Sequence, residues 1–248
     1  MKTINDLEIK LFADGADKGG MLEMYRQPHI KGFTTNPSLM RKAGISDYQA
    51  FALEILEAIP DRPISFEVFS DDFAEMERQA QQIAAWGEKV YVKIPVMNTK
   101  GKSATPLIRR LAGAGVKLNV TAVFTLTQVH DVCAALGGRA PAIVSVFAGR
   151  IADSGVDPMP LMAAARHLVD QYQGIELLWA SSRELLNIFQ ADAVGCHIIT
   201  ATNDILKKLS YVGMNLHAFS LDTVKMFHND ALKAGFSLLQ TQPVRHAA

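Results

Sequence analysis

The chain has 248 residues, of which 49% are hydrophobic and 20% charged. This length suits a well-buried core, and this composition excludes extended disorder. The charges of the 25 basic and 25 acidic residues cancel, so the protein has no long-range positive field that attracts nucleic acid. No nucleic-acid partner is therefore expected. The N-terminus (MKTINDLEIKLF) lacks the apolar run of a signal peptide, and no stretch is long enough for a membrane helix, so a cytoplasmic protein with no membrane partner is expected.

Short runs rich in Val, Ile and Phe recur at spacings that suit βα units. They predict strands at 8–14, 29–36, 64–69, 90–96, 117–124, 142–149, 175–181 and 196–202. Apolar residues at helical spacing predict helices between them, at 72–86, 104–114, 158–173 and 183–194. Eight such units in a chain of this length are typical of an α/β fold, the (β/α)8 TIM barrel. A doubly wound open sheet is the alternative, although no GxGxxG or P-loop motif follows the first strand.

No linker, low-complexity tract or internal repeat divides the chain, so residues 1–238 are predicted to form one domain. Residues 220–238 (SLDTVKMFHNDALKAGFSL) predict an additional amphipathic helix after the eighth unit. Such a helix caps the barrel or packs on a neighbouring subunit. The last residues, 239–248, are expected to form a flexible tail.

Polar residues occupy alternating positions in several predicted strands. In the third strand Ser65 and Glu67 share a face, and in the fourth Tyr91 and Lys93 do so. Because the apolar positions must face the outer helices, the polar ones are expected inside the barrel, near the mouth where barrel enzymes hold their chemistry. The polar residues predicted to line this mouth are Asp14, Asn36, Glu67, Lys93, Asn119, Thr121, Ser145 and Ser181.

Lys93 is the residue in this set with the most specific chemistry. An ammonium among apolar strand residues is costly unless it is paired or neutralised. Burial favours the neutral amine, which is a nucleophile towards carbonyl groups. Two interpretations remain open at this point. Lys93 forms a structural ion pair with Glu67 or Asp14, or it is a nucleophile for which these two carboxylates divide the acid/base work.

A second group of residues predicts a phosphate site. Arg150 follows the sixth strand, and Ser181 and Arg183 follow the seventh at a predicted helix start. Two guanidinium groups, a hydroxyl and helix N-terminal amides suit a phosphate, and late loops of this fold often bind one. Surface ion pairs of two exposed arginines are the alternative. The seven His and two Cys residues lack metal-ligand spacing, so no metal is expected.

Eight segments together carry a resemblance to a known family. In order, from residue 11 to about 206, they are LFADGAD, GFTTNPSLM, ISFEVF, VYVKIPV, LNVTAVFTLTQ, SVFAGRI, WASSRE and GCHIITATNDIL. This combination resembles the transaldolase family of class I (Schiff-base) aldolases, particularly its smaller members and the related fructose-6-phosphate aldolases.

The resemblance implies that Lys93 forms the Schiff base and that Asp14 moves the proton of the C4 hydroxyl. Glu67 and Thr121 would hold the water that shuttles protons during imine formation. The remaining implied contacts are with the substrate hydroxyls, at Asn36, Asn119 and Ser145, and with its phosphate, at Arg150, Ser181 and Arg183. The implied partners are phosphorylated sugars and further copies of the chain in a homo-oligomer, and no metal or organic cofactor is implied.

Two positions bear on the branch of the family. The aldolase branch typically has Gln where Glu67 stands and Tyr where Phe147 stands. The resemblance implies that the residue at position 147 contacts the substrate. Both residues here are of the transaldolase type, which implies transfer of a dihydroxyacetone unit from a ketose phosphate to an aldose phosphate. An aldolase that releases free dihydroxyacetone is the alternative, and a non-catalytic phosphosugar-binding barrel with a structural Lys93 is a third possibility.

Overall fold

The computed structural model describes residues 2–238 and shows a closed barrel of eight parallel strands in sequence order. The strands are β1 (Lys10–Asp14), β2 (Ile30–Thr34), β3 (Ile64–Glu67), β4 (Val90–Pro95), β5 (Leu118–Val123), β6 (Ala142–Val146), β7 (Ile175–Trp179) and β8 (Ile198–Thr202). Strand β1 pairs with both β2 and β8, which closes the sheet and excludes the open doubly wound alternative. The predicted TIM-barrel fold is therefore confirmed.

Helices follow the strands and surround the barrel. Within residues 2–238 they are α1 (Lys18–Tyr25), α2 (Pro37–Lys42), α3 (Tyr48–Ala58), α4 (Phe73–Ala84), α5 (Thr105–Gly113), α6 (Leu126–Leu136), α7 (Ala148–Asp153), α8 (Pro158–Val169), α9 (Leu186–Ala193), α10 (Asn203–Leu206) and α11 (Leu216–Ala234). Short 3-10 turns lie at Ile4–Asp6 and Lys207–Tyr211. Side chains cap several helix starts; Asp72, for example, accepts hydrogen bonds from the backbone amides of Ala74 and Glu75.

The period of two in the strands separates two buried layers. Outward-facing residues such as Phe66, Val92 and Trp179 are fully buried between the sheet and the helices. A second cluster, which includes Phe12 and Ile143, fills the barrel interior. Phe12 and Ile143 each stand two residues before a polar residue of the predicted mouth. Apolar side chains therefore fill the barrel interior, and polar side chains line its mouth at the carboxyl ends of the strands.

Helix α11 is the predicted additional helix, and it begins at Leu216, four residues earlier than expected. It has no buried residue, and large apolar side chains along it, such as Phe227 and Leu232, are exposed. Packing of α11 on a neighbouring subunit stays a prediction. The expected tail at 239–248 lies outside the described residues.

Within residues 2–238, no helix has both the length and the apolar character needed to cross a membrane.

Candidate active site

A cavity of about 530 Å³ opens at the carboxyl ends of the strands. Its lining includes every site residue predicted from the sequence, namely Asp14, Asn36, Glu67, Lys93, Asn119, Thr121, Ser145, Phe147, Arg150, Ser181 and Arg183. The fold therefore brings together residues from seven strands or the loops that follow them. Their individual roles stay predictions, but their convergence on one cavity is a property of the structure.

Lys93 lies on β4 with its side chain only 9% exposed, and its Nζ has two partners. It donates a hydrogen bond of 2.8 Å to the backbone carbonyl of Thr35 and lies 3.1 Å from Oε2 of Glu67. The β3–β4 register sets this pair, because Glu67 and Lys93 are directly opposite each other. The structure thus contains the ion pair of the structural interpretation. It also leaves both partners on the wall of an open cavity, where a ligand can reach them.

Asp14 ends β1 beside a pair of hydroxyl groups. Its Oδ1 accepts a hydrogen bond of 2.7 Å from Oγ1 of Thr34, which lies 2.6 Å from Oγ1 of Thr200. Burial raises the pKa of Asp14, because the interior disfavours the charged carboxylate. The positive charge of Lys93 and the Thr34 hydrogen bond oppose this shift without cancelling it. Asp14 is therefore a carboxyl group able to take and return a proton closer to neutral pH than an exposed aspartate.

Three polar side chains of β6, β5 and β3 form a row of hydrogen bonds in the barrel interior. Ser145 donates to Oδ1 of Asn119 at 2.6 Å, and Nδ2 of Asn119 donates to Oγ of Ser65 at 3.0 Å. The buried hydroxyl of Thr121 has no hydrogen-bond partner among residues 2–238. Such a group in a native structure calls for a water or ligand partner.

Backbone irregularities shape β5 next to Thr121. Ala122 has a φ of 58°, in the left-handed region that a residue with a Cβ adopts only at some energetic cost. The β5–β6 register shifts between Val120 and Val123 at the same point. Strain of this kind concentrates at functional sites, so Ala122, which lines the cavity, marks this edge as part of one.

Two predicted site residues reach the cavity from positions just beyond their strands. Asn36 follows β2 and caps α2, with its Oδ1 accepting a hydrogen bond from the backbone amide of Leu39. Its amide nitrogen is therefore the group able to donate to a substrate. Phe147 follows β6, and its ring packs 5.7 Å from that of Phe124 and 5.3 Å beneath the Arg150 guanidinium.

The expected position of Ser181 at the end of the seventh strand is wrong. Strand β7 ends at Trp179, which faces the outer helices, so Ser181 at the same parity would also point outwards if the strand continued. Ser181 instead adopts a left-handed φ of 65°, and this turn places it on the cavity wall. The expected helix start at Arg183 is also displaced, because α9 begins at Leu186. Arg183 therefore belongs to the loop.

A glycine allows the two phosphate-site loops to meet. A Cβ placed on Gly149 of α7 would lie 1.6 Å from the carbonyl oxygen of Ser181. The backbone amide of Gly149 donates to the carbonyl of Ala180 at 3.3 Å. A side chain at position 149 would therefore push apart the segments that carry Arg150 and Arg183.

We expect Gly149→Ala to destabilise the protein by about 1–3 kcal/mol, the usual cost of overpacking a closed contact. Gly113→Ala in α5 is the matched control, because a Cβ there meets no atom within 4 Å. Urea denaturation of the three proteins gives the comparison. Equal stability of Gly149→Ala and the wild type would contradict the close contact.

The two arginines of the predicted phosphate site have different partners. Nε of Arg183 lies 3.0 and 3.1 Å from the two carboxylate oxygens of Asp153, and Nη2 also contacts this carboxylate. These hydrogen bonds lower the pKa of Asp153. The ion pair of the alternative interpretation is therefore present at Arg183, although Arg183 also lines the cavity. Arg150 instead rests on the ring of Phe147.

Sequence reasoning missed three residues that shape this site. Thr34 and Thr200 position Asp14, and Asp153 holds Arg183. Thr34 has the same strand parity as Asn36, a signal that could have placed it inside the barrel. Asp153 lies 30 residues from Arg183 in sequence, and nothing local in the chain predicts that they meet.

The chain is similar to proteins of one family over most of its length. Residues 11–240 match the model of the Transaldolase/Fructose-6-phosphate aldolase family. A probable transaldolase of Sphingopyxis alaskensis is 33% identical over 232 residues, which cover 93% of this chain and 100% of the relative. A probable transaldolase of Dehalococcoides mccartyi is 34% identical over 203 residues, which cover 81% of this chain and 90% of the relative.

A solved structure described as native KDPGal has the same fold. It superposes with a TM-score of 0.55 and 13% identity, covering 79% of this chain and 84% of that one. With a barrel that carries this set of polar residues, and with relatives matched over nearly their whole length, the chain belongs to the transaldolase/fructose-6-phosphate aldolase family.

Proposed function

We propose that this protein is a transaldolase that moves a dihydroxyacetone unit from a ketose phosphate to an aldose phosphate through a Schiff base on Lys93. One observation carries the proposal: an almost buried lysine amine lies on the wall of an open cavity with two carboxylates, Glu67 and Asp14. A purely structural ion pair needs neither the second carboxylate nor the opening.

In the first step, the unprotonated amine of Lys93 attacks the C2 carbonyl of the ketose. The carbinolamine then loses water, and a protonated imine remains. Glu67, whose Oε2 lies 3.1 Å from the amine, would exchange protons during addition and dehydration. The Thr121 hydroxyl, which has no partner among residues 2–238, is suited to hold the water that carries them.

In the second step, the carboxylate of Asp14 removes the proton of the C4 hydroxyl. The C3–C4 bond breaks, its electrons move into the imine, and an aldose phosphate leaves while a three-carbon enamine stays on Lys93. The raised pKa of Asp14 supports this role, because a stronger base takes the hydroxyl proton more readily.

In the third step, the enamine carbon adds to the carbonyl of an acceptor aldose phosphate. Asp14 returns its proton to the new alkoxide, and water hydrolyses the imine to free the new ketose and the amine. Ser145 and Asn119, which line the cavity and hydrogen-bond to each other, would bind the hydroxyls of the three-carbon unit. Arg150 and Arg183, which line the same cavity, would bind the phosphate.

Reductive trapping tests the proposal. The protein is incubated with fructose 6-phosphate, reduced with borohydride and digested for peptide mass analysis. We expect a sugar-derived mass gain on the peptide that contains Lys93, and none when the sugar is omitted. Absence of this gain would exclude the Schiff base and favour a non-catalytic barrel.

An aldolase that releases dihydroxyacetone is the second candidate, and the phenyl ring of Phe147 is the feature that argues against it. A phenyl ring has no group to hold a water that protonates the enamine, so the enamine should persist until an acceptor captures it. Rapid dihydroxyacetone release from ketose phosphate without an acceptor would contradict the transferase.

We expect Phe147→Tyr to increase dihydroxyacetone release by about fivefold, because one added hydrogen-bonding group is worth roughly 1 kcal/mol. Coupled reduction of free dihydroxyacetone measures it. Phe124→Tyr is the matched control, since that ring packs against Phe147 but is not part of the cavity lining. Unchanged release in Phe147→Tyr would show that this position does not separate the two activities.

We expect Arg183→Ala to lower kcat/KM for phosphosugars by about 10- to 100-fold, since one charged hydrogen-bond partner is lost. Turnover of an unphosphorylated ketose should change little. Arg78→Ala is the matched control, because Arg78 also pairs with a carboxylate, that of Glu75, but outside the cavity. Equal losses on both substrates would argue that Arg183 supports the fold through Asp153 and does not bind phosphate.

A further inference from the structure

The last residue of β3 lacks a strand partner on one side. In a parallel sheet, the amide and carbonyl groups of alternate residues point to opposite neighbours. The amide of Ile64 donates to the carbonyl of Lys89 before β4, and that of Val68 donates to the carbonyl of Lys93 in β4. The carbonyl of Ser65 instead accepts from the amide of Thr35, on the β2 side. Glu67 shares the parity of Ser65, so its amide and carbonyl face the β2 side beyond the point where β2 ends.

The hydroxyl of Tyr48 takes the place of the missing strand. It donates to the carbonyl of Glu67 at 2.9 Å and accepts from the amide of Glu67 at 2.8 Å. One side chain thus satisfies both backbone groups, as a neighbouring strand would. Burial raises the pKa of Tyr48, so its hydroxyl keeps the proton that it donates.

The ring of Tyr48 is itself fixed by aromatic neighbours. It lies edge-on to Phe66 at 6.3 Å and to Phe69 at 5.3 Å, and it is tilted against Trp86 at 5.7 Å. Tyr48 is also the first residue of α3, whose start is capped by Asp47. The hydroxyl is therefore held by a rigid helix end and an aromatic cluster.

We propose that Tyr48 is a positioning residue that holds the backbone of Glu67 so that its carboxylate stays against Lys93. The proposal rests on the proposed Schiff-base function. Tyr48 is not part of the cavity lining and acts only through Glu67. Glu67 stands at the end of a four-residue strand, and among residues 2–238 no other group on the β2 side hydrogen-bonds to its backbone.

Tyr48→Phe removes the hydroxyl and keeps the ring, and Tyr25→Phe is the matched control. The Tyr25 hydroxyl donates to Asp61 at 2.8 Å at an exposed site away from the cavity. The first measurement is exchange of the Glu67 amide hydrogen, followed by NMR. Because the amide loses its acceptor, we expect exchange at least about tenfold faster in Tyr48→Phe and unchanged in Tyr25→Phe.

The second measurement is the rate at which fructose 6-phosphate is trapped on Lys93 by borohydride. Displacing a reacting group by about an ångström can cost about 100-fold. Since Tyr48→Phe loosens Glu67 without removing it, we expect roughly a tenfold slower rate. The rate in Tyr25→Phe should equal that of the wild type.

A double variant separates positioning from a general loss of structure. If Tyr48 acts through Glu67, Tyr48→Phe should slow trapping no further in a Glu67→Gln background. Equal slowing in both backgrounds, or wild-type trapping in Tyr48→Phe alone, would overturn the proposal. If the wild type itself is not trapped, the proposed function fails. The amide-exchange result then still decides whether Tyr48 holds Glu67, and unchanged exchange would overturn that as well.

Discussion

Lys93→Met should abolish transfer, with kcat reduced by about 10⁴-fold or more, because no other cavity-lining residue within 2–238 carries a primary amine that can form the imine. Methionine is unbranched and one atom shorter than lysine, so it fills most of the same space at the cavity wall. Borohydride trapping with fructose 6-phosphate should fall to background. The coupled transfer assay and peptide mass analysis measure the two effects.

The fold of Lys93→Met should survive. Glu67 keeps 18% of its side chain exposed, so it is not left as a fully buried unpaired charge. The matched control is Lys117→Met, since Lys117 is half-buried and donates to the carbonyl of Glu88 away from the cavity. Residual transfer above about 1% of wild type in Lys93→Met would show that another residue is the nucleophile. A loss of circular-dichroism signal would instead show that Lys93 is needed structurally.

Asp14→Asn should reduce kcat by about 10²- to 10⁴-fold, the usual contribution of a positioned general base. Unlike Lys93→Met, it should leave imine formation largely intact, because the amide only replaces the base that acts at C4. Borohydride should then trap the uncleaved sugar on Lys93, heavier than the three-carbon unit trapped in the wild type. Trapping of the three-carbon unit at the normal rate would show that another base cleaves the C3–C4 bond.

The same substitution should stabilise the folded protein at neutral pH. Folding raises the pKa of Asp14 above its ordinary value of 3.8, so above the folded pKa the buried carboxylate costs free energy that the unfolded chain does not pay. Asparagine removes this cost and can still accept the hydrogen bond from Thr34. The gain should be full above the folded pKa, shrink as the pH falls through it and vanish below about 3.8.

Urea denaturation of Asp14→Asn and wild type at neutral and acidic pH measures this difference. Asp17→Asn is a useful comparison, because Asp17 accepts from the amide of Gly20 at an exposed helix start, outside the cavity lining. If Asp14→Asn were less stable than wild type at neutral pH, the favourable charge of Lys93 would outweigh the cost of burial, and the prediction would be wrong. A gain of this kind together with lost activity is the usual cost of an active site.

The local pattern of the chain predicted the positions that depend on strand periodicity. Lys93 and Glu67 alternate with apolar residues such as Phe66 and Val92. Because successive side chains of a strand point to opposite faces, the apolar residues pack against the helices and the charged ones face the barrel interior. The strands were nevertheless predicted too long. Their last residues, such as Asn36 and Phe147, leave the sheet to cap or precede helices, and a hydrophobic pattern does not mark that change.

The recurrence of eight strand and helix units along the chain therefore determined the barrel, and the alternation of apolar and polar residues in several strands determined which side chains face its interior. Only the tertiary structure decided which of them touch. The register of β3 against β4 sets the contact of Glu67 with Lys93, and the hydroxyl of Tyr48 supplies what β2 lacks. The left-handed turn at Ser181 and the pair of Asp153 with Arg183 likewise depend on loops that meet across the mouth, because such contacts join residues that are distant in sequence and leave no local signal.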